Sequence, residues 1–264
     1  MLALSSLIIN FKNNTNICKC NSKTSIFAFI SSKLHHFIMK DLLAQMKIKV
    51  NEKIFLKDPD SSEVGRSIVA TSILLIDEIG FEAFNFKKLG FRIGSPESTI
   101  YRYFENKHKV LLYLSSWYLS WLEYRLVFST VNIASPEEKL MKAIKLLTEP
   151  VQEDSNYSHI NEVVLNRIVI AESSKTYFTK EVDAGNNDGL FKVYKRLVQR
   201  VADMVLVINP KYEYPRMLIS TVIEGAHQQN HFAKHLPSLT DVRNGDKDIS
   251  NFFIQMVFNT IPTK

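Results

Sequence analysis

From Met46 onward the chain alternates stretches of helical apolar spacing with short polar breaks. EVGRSIVATSILLIDEIG sets Val64, Ile68, Ile73, Leu75, Ile76 and Ile79 on one broad face and ends at Gly80, the pattern of a long helix closed by glycine. Asp58, Pro59, Asp60 and Ser61 form a helix-start signal ahead of it, and KIKVNEKIFL before that reads as a short extended arm. FEAFNF follows as a linker with aromatic plugs at Phe81, Phe84 and Phe86. Asn85 is placed to cap a second helix, KKLGFRI, which stops at Gly94. Ser95 as cap and Pro96 at the first helical position open a third helix, ESTIYRYF, of about two turns. Within it Ile100 and Phe104 are four apart and face inward, which leaves Glu97, Ser98, Thr99, Tyr101, Arg102 and Tyr103 outside or partly outside. Asn106 caps the next helix, beginning at Lys107.

The remainder repeats the pattern. LLYLSSWYLSWLEYRLVF continues the Lys107 helix and carries an aromatic stripe, Trp117, Trp121, Tyr124 and Phe128. SPEEKLMKAIKLLTEP starts with Ser135 as cap, Pro136 as first residue and Glu138 completing a capping box. HINEVVLNRIVIAES, DGLFKVYKRLVQRVADMVLVI, a helix at about 213–235 and one at about 247–261 complete the chain. The expected fold is all-α: a three-helix helix-turn-helix unit at 46–110 and a larger helical body at 111–264, after a leader at 1–45. No internal repeat or low-complexity tract interrupts it.

A two-turn helix crowded with hydroxyls, an arginine and two tyrosines is hard to account for by packing. It suits a recognition element held in the major groove of DNA. The stretch from Glu63 to about Tyr118 resembles the TetR family of bacterial transcriptional repressors. The matching residues are the Ile76–Gly80 end of the first helix, Phe84–Leu89, Gly94, Thr99-Ile100-Tyr101-Arg102-Tyr103-Phe104, and Asn106-Lys107 followed by Val110-Leu111-Leu112. The resemblance implies that Tyr101, Tyr103 and Lys107 hold the DNA backbone, with Lys87 at the start of the second helix contacting base or phosphate. Ser95, Glu97, Ser98 and Thr99 would also meet the DNA, the last three at base edges and Thr99 at phosphate as well, and Arg102 would reach backbone or a guanine edge. Three positions depart from the family pattern. Phe86 stands where a threonine is usual, Gly90 replaces a small alanine at about 1 kcal/mol of helix propensity, and Phe91 is apolar at a site expected to be partly exposed.

The same resemblance implies that the body binds a small-molecule effector of unknown identity and forms a homodimer through its last two helices. Leu218, Val222, Phe252, Phe253, Met256 and Val257 would supply the interface, and two recognition helices would read a palindromic operator in double-stranded DNA. The Trp117, Trp121 and Tyr124 stripe is either core or effector pocket; core packing is the simpler reading.

Charge adds a little. The net +6 is uneven: residues 1–110 hold 16 Lys/Arg against 10 Asp/Glu, whereas 111–264 hold 17 of each. Most of the excess lies in residues 1–45, five lysines against one aspartate, so local placement must carry the nucleic-acid argument. That leader is apolar at MLALSSLII and patternless through NFKNNTNICKCNSKTS. It reads as a mis-called start upstream of Met39 or Met46, or as a disordered arm; an export signal or a basic arm along DNA are the sharper alternatives. No apolar run reaches 18 residues, which argues against a membrane span. Cys18 and Cys20 are too close for an ordinary disulfide and too few for a zinc site, which points to the cytoplasm.

One rival constellation stands in the last long helix. His227, His231 and His235 recur every fourth residue, with Glu224 a turn earlier. Two histidines at that spacing can chelate a metal, so a metal-binding helical protein or enzyme is the alternative to a regulator. HxxxH lacks the glutamate of the zinc proteases, and no general base or activated nucleophile stands nearby. The expectation is a non-enzymatic protein that needs no cofactor.

Overall fold

The computed structural model describes residues 48–149, 151, 159–243 and 245–261. The readings of 1–45 and of Met46 lie outside these. Ten α-helices and four 3-10 turns make up the regular structure, with no strand among the described residues.

Helix α1 (Glu63–Ala83) starts where Ser62 Oγ accepts the Gly65 N–H at 3.1 Å. The Asp58–Ser61 signal forms a 3-10 turn, capped by Asp58, that lies against this start. The helix does not end at Gly80. That glycine takes φ +76°, breaks the helical run, and one further turn follows to Ala83. Ile68, Val69, Ile73, Leu75 and Ile76 are buried; Val64, expected on the same face, is exposed because the helix start lies at the edge of the core. Phe81, Phe84 and Phe86 are buried as the linker pattern required.

Helix α2 (Phe86–Ile93) is capped by Asn85, whose Oδ1 accepts the Lys88 N–H at 2.9 Å. It ends on Gly94 in the left-handed conformation, φ +66°, and the Ser95 N–H returns to the Gly90 carbonyl at 2.9 Å. This is the glycine-closed helix end that satisfies otherwise orphaned carbonyls. The turn then enters α3 (Glu97–Tyr101), a single turn of helix. Pro96, not Ser95, is its N-terminal flank, and no side chain caps it. Helix α4 (Lys107–Thr130) is capped by Asn106, which accepts the Lys109 N–H at 3.0 Å.

At about 1.5 Å per residue, α4 is roughly 36 Å long. It is apolar all round, with Val110, Leu111, Leu114, Trp117, Tyr118, Trp121 and Leu126 buried. A helix of that kind forms the centre of a bundle. Its first turns pack with α1 and with the 3-10 turn Glu52–Ile54. Its remainder is surrounded by α5 (Pro136–Thr148), α6 (Glu162–Glu172) and α8 (Lys192–Ile208). The expected boundary at residue 110 falls inside one continuous helix, and the described residues cluster as one compact unit. Short α7 (Val182–Asn187), then α9 (Pro215–His235) and α10 (Asp246–Thr260), complete the body.

Helices α9 and α10 pack on each other and on α5. That packing corrects the expected interface. Leu218, Val222, Phe253 and Val257 are turned into the chain's own core, with Val222 and Val257 fully buried, so they are not available to a second copy. Phe252 is 57% exposed and Met256 half-buried, one turn apart on the outer face of α10.

One buried charge pins the body. Glu123 of α4 receives Arg196 from Nε and Nη2 at 2.5–2.8 Å and Arg200 from Nη2 at 3.1 Å. Burial would raise its pKa, but the two guanidinium groups outweigh that and hold it below the usual carboxylate range. No helix among the described residues is long and apolar enough to cross a membrane.

Candidate functional site

The α2-turn-α3 segment presents one polar face. Ile100 and Phe104 are fully buried beneath it, and Gly90 lets the Ser95 carbonyl lie directly against α2. Glu97, Ser98 and Arg102 are exposed, and Ser95 and Thr99 are half-buried. Lys87 is exposed on the neighbouring helix start, and neither Lys87 nor Arg102 forms an ion pair among the described residues. Tyr101 is 50% exposed, with its ring edge-on to Phe86 at 4.8 Å. Phe86, which stands where the family pattern has threonine, thus braces an exposed phenol.

Two residues expected to touch DNA are engaged within the protein. Tyr103 is buried, its hydroxyl 2.8 Å from Ser62 Oγ at the start of α1. It follows the end of α3 at Tyr101, where the chain turns inward. Lys107 donates its ammonium to the carbonyls of Phe81 and Glu82 at 3.1 and 3.0 Å and lies 4.8 Å from the Phe81 ring. It ties α4 to the carbonyl end of α1, where the partial negative charge of the helix terminus favours a cation.

Lys57 was not singled out by the sequence pattern. The structure brings it beside Tyr103: the Leu56 N–H donates to the Tyr103 carbonyl at 2.8 Å, and the exposed Lys57 ammonium lies 5.0 Å from the Tyr103 ring. No local motif marks it; only the docking of the 48–57 segment does.

The aromatic stripe of α4 resolves as core. Trp117 and Trp121 are each 1% exposed, Tyr124 is half-buried, and none of the three lines the cavity beside α4. The cavity opens on a different face, at Leu112, Ser115, Ser116 and Leu119. Tyr177, Tyr194, Glu224 and His227 line both this space and an adjoining surface groove. Tyr194 donates its hydroxyl to Glu224 Oε1 at 2.5 Å. Burial, with Glu224 adding to it, pushes both phenols well above the usual range, so they stay protonated donors. Burial lowers the pKa of His227, against the pull of Glu224.

The histidine row does not converge. His231 and His235 lie with ring centroids 4.7 Å apart and planes tilted by 39°, but residues 227 and 235 are separated by about 12 Å of helical rise. Among the described residues, no group of three or more His, Cys, Asp or Glu side chains is arranged to hold a metal ion.

The cavity wall continues toward the polar face. The 3-10 turn Ser173–Thr176 lines the cavity and carries Lys175, which pairs with Glu172 at 2.6 Å and with Glu82 of α1 at 2.9 Å. Glu172 Oε1 accepts the Phe81 N–H at 3.3 Å. Phe81 and Glu82 are also the residues whose carbonyls hold Lys107.

No family model and no curated protein matches the sequence. Solved structures do. A protein from Saccharomonospora viridis, assigned as a transcriptional regulator and solved in complex with choline, superposes with a TM-score of 0.54 at 18% identity, over 77% of this chain and 100% of that one. A tetR-family regulatory protein from Rhodococcus RHA1 gives 0.53 at 10% identity, over 77% and 99%. The superantigen PfiT gives 0.51 at 13% identity, over 79% and 100%. At these identities the likeness establishes the fold: the chain has the all-helical architecture of the tetR-family regulatory protein.

Proposed function

We propose that a chain with this fold is a DNA-binding transcriptional regulator of the TetR type, a repressor whose DNA affinity responds to a small molecule. Fold alone does not decide the matter, since one architecture serves different tasks. The observation that carries the reading is the face formed by Glu97, Ser98, Thr99, Tyr101 and Arg102 on a short helix whose apolar residues are sealed below it. Such a helix, set after a left-handed glycine turn, suits the major groove. Arg102, Lys87 and Lys57 supply phosphate or guanine contacts; Ser98 and Thr99 meet base edges or phosphate; Glu97 accepts from a cytosine amino group. Tyr103 and Lys107 act behind the face, as the braces that hold it.

The effector site in this reading is the groove together with the small cavity behind it, which share Ser173, Tyr177, Tyr194, Glu224 and His227. A ligand that displaces the 173–176 turn would move Lys175 and Glu172, and with them the end of α1. DNA affinity can change only by the ligand's differential affinity for the two arrangements. A dimer would use the outer faces of α9 and α10, with Met217 at 67% and Phe252 at 57% exposure, and Met256 beside them. A two-fold pair then reads a palindrome.

The test is a mobility shift on DNA upstream of the protein's own gene, searched for an inverted repeat, at several salt concentrations. Specific binding that weakens steeply with salt is expected, because phosphate contacts release counterions. Binding no tighter than to unrelated duplex would exclude the regulator.

A further inference from the structure

Two neighbouring spaces share one carboxylate in their lining. The inner cavity holds ≈ 30 Å³, enough for about one water. The groove beside it holds ≈ 410 Å³ and is bounded partly by Phe178 and Phe232. Glu224 borders both. No lysine or arginine lines either space among the described residues, and Glu224 forms no ion pair there.

The surroundings of Glu224 are aromatic. Tyr177 and Tyr194 lie near-parallel with centroids 6.4 Å apart, and Phe178 adds a third ring 5.0 Å from Tyr177. Phe178 is 82% exposed at the groove, an apolar ring held in water. Two buried polar atoms at the cavity, Ser115 Oγ and His227 Nδ1, have no hydrogen-bond partner among the described residues. Each can receive a hydroxyl or a water. His227 is kept neutral by burial and offers no compensating charge at neutral pH; His231 also borders the groove and is exposed.

The ligand classes separate on these facts. An anion would meet Glu224 with no cation to offset it. A neutral molecule would leave a half-buried carboxylate with tyrosine hydroxyls alone. A cation gains the carboxylate and the negative faces of the aromatic rings together.

We propose that this site binds an organic cation, an amine or quaternary ammonium bearing an apolar group. Its charged head lies at Glu224 against Tyr177 and Tyr194, and its apolar part lies in the groove against Phe178 and Phe232. The proposal rests on the regulator reading only in making the cation an effector; the binding itself is measured without DNA.

The test is calorimetric titration of the full chain with choline and with benzyltrimethylammonium. The controls are 3,3-dimethylbutanol, which replaces the choline nitrogen by carbon, and 3,3-dimethylbutyrate. At least one ammonium is expected to bind about tenfold or more tighter than the neutral alcohol, and the carboxylate not at all. Glu224→Gln keeps the shape and should lose about tenfold in ammonium affinity. Tyr177→Phe should retain binding and Tyr177→Leu should weaken it. The proposal is overturned if the alcohol binds as well as the ammonium, if the carboxylate binds tighter, or if a folded Glu224→Gln protein is unaffected. It is equally overturned if neither ammonium saturates at millimolar concentration. A protein that shifts its own promoter DNA yet binds neither ammonium refutes the cation and leaves the regulator standing; the reverse outcome refutes only the regulator.

Discussion

A side-chain carbon added to Gly90 would sit 2.6 Å from the carbonyl oxygen of Ser95. The neighbour is backbone, in the turn that aims α3, so it cannot rotate away. Two effects then oppose each other in Gly90→Ala. Helix propensity favours alanine by about 1 kcal/mol, while forcing the turn aside costs about 1–3 kcal/mol. The clash should prevail: the variant melts lower than wild type and binds DNA more weakly. A rise in melting temperature would show that the turn yields freely.

Removing Arg102, Lys87 or Lys57 one at a time should weaken DNA binding with little effect on stability. Each lost phosphate contact lowers the slope of log K against log salt by about 0.9. Tyr103→Phe should do the opposite, costing about 1 kcal/mol of stability through the Ser62 hydrogen bond and leaving the salt slope unchanged. Denaturant melts and salt titrations on the same four proteins separate the two classes.

Glu123 has its pKa depressed in the folded state against burial, by Arg196 and Arg200. A depressed carboxylate contributes stability above its unfolded pKa and loses that contribution as pH falls through the folded one. Glu123→Gln should therefore be less stable than wild type at pH 7, with the gap closing in acid. A gap that stays constant from pH 7 to pH 3 would remove charge as the cause.

Lys175 joins the cavity turn to α1 through Glu82 and Glu172. The Glu82 arm is exposed, so the pair adds little to stability. Lys175→Ala should keep its DNA affinity and its ammonium binding, yet show a smaller change in DNA affinity when the ammonium is saturating. An undiminished response would mean that the signal takes another route.

Phe252→Asp places a charge on the outer face of α10 at the cost of one edge-on contact with Phe253. Light scattering should find a shift from dimer toward monomer, with circular dichroism unchanged. Val257→Ala, by contrast, removes a fully buried side chain and should cost about 0.5–3 kcal/mol of stability whatever the oligomeric state.

Local chemistry made much of this molecule legible in the chain. Asn85, Asn106 and Ser135 cap the helices their positions announced, because a short polar side chain reaches a nearby N–H whatever the fold around it. Gly94 stops α2 because a left-handed residue is needed there, and Ile100 and Phe104 turn inward because they share one helical face. What tertiary packing alone decided is which partner each exposed-looking group would meet. Tyr103 and Lys107 fit a DNA-contacting string, yet Ser62, from 41 positions earlier, takes one hydroxyl, and the end of α1 takes the other's charge. Leu218, Val222, Phe253 and Val257 have the periodicity of an interface, and periodicity cannot tell one apolar neighbour from another. Glu224 and Tyr194 come from different helices and Tyr177 from the turn after Thr176, and they come together only where the bundle leaves a gap. Spacing along a helix fixes which side chains share a face, but what that face meets depends on how the helices pack.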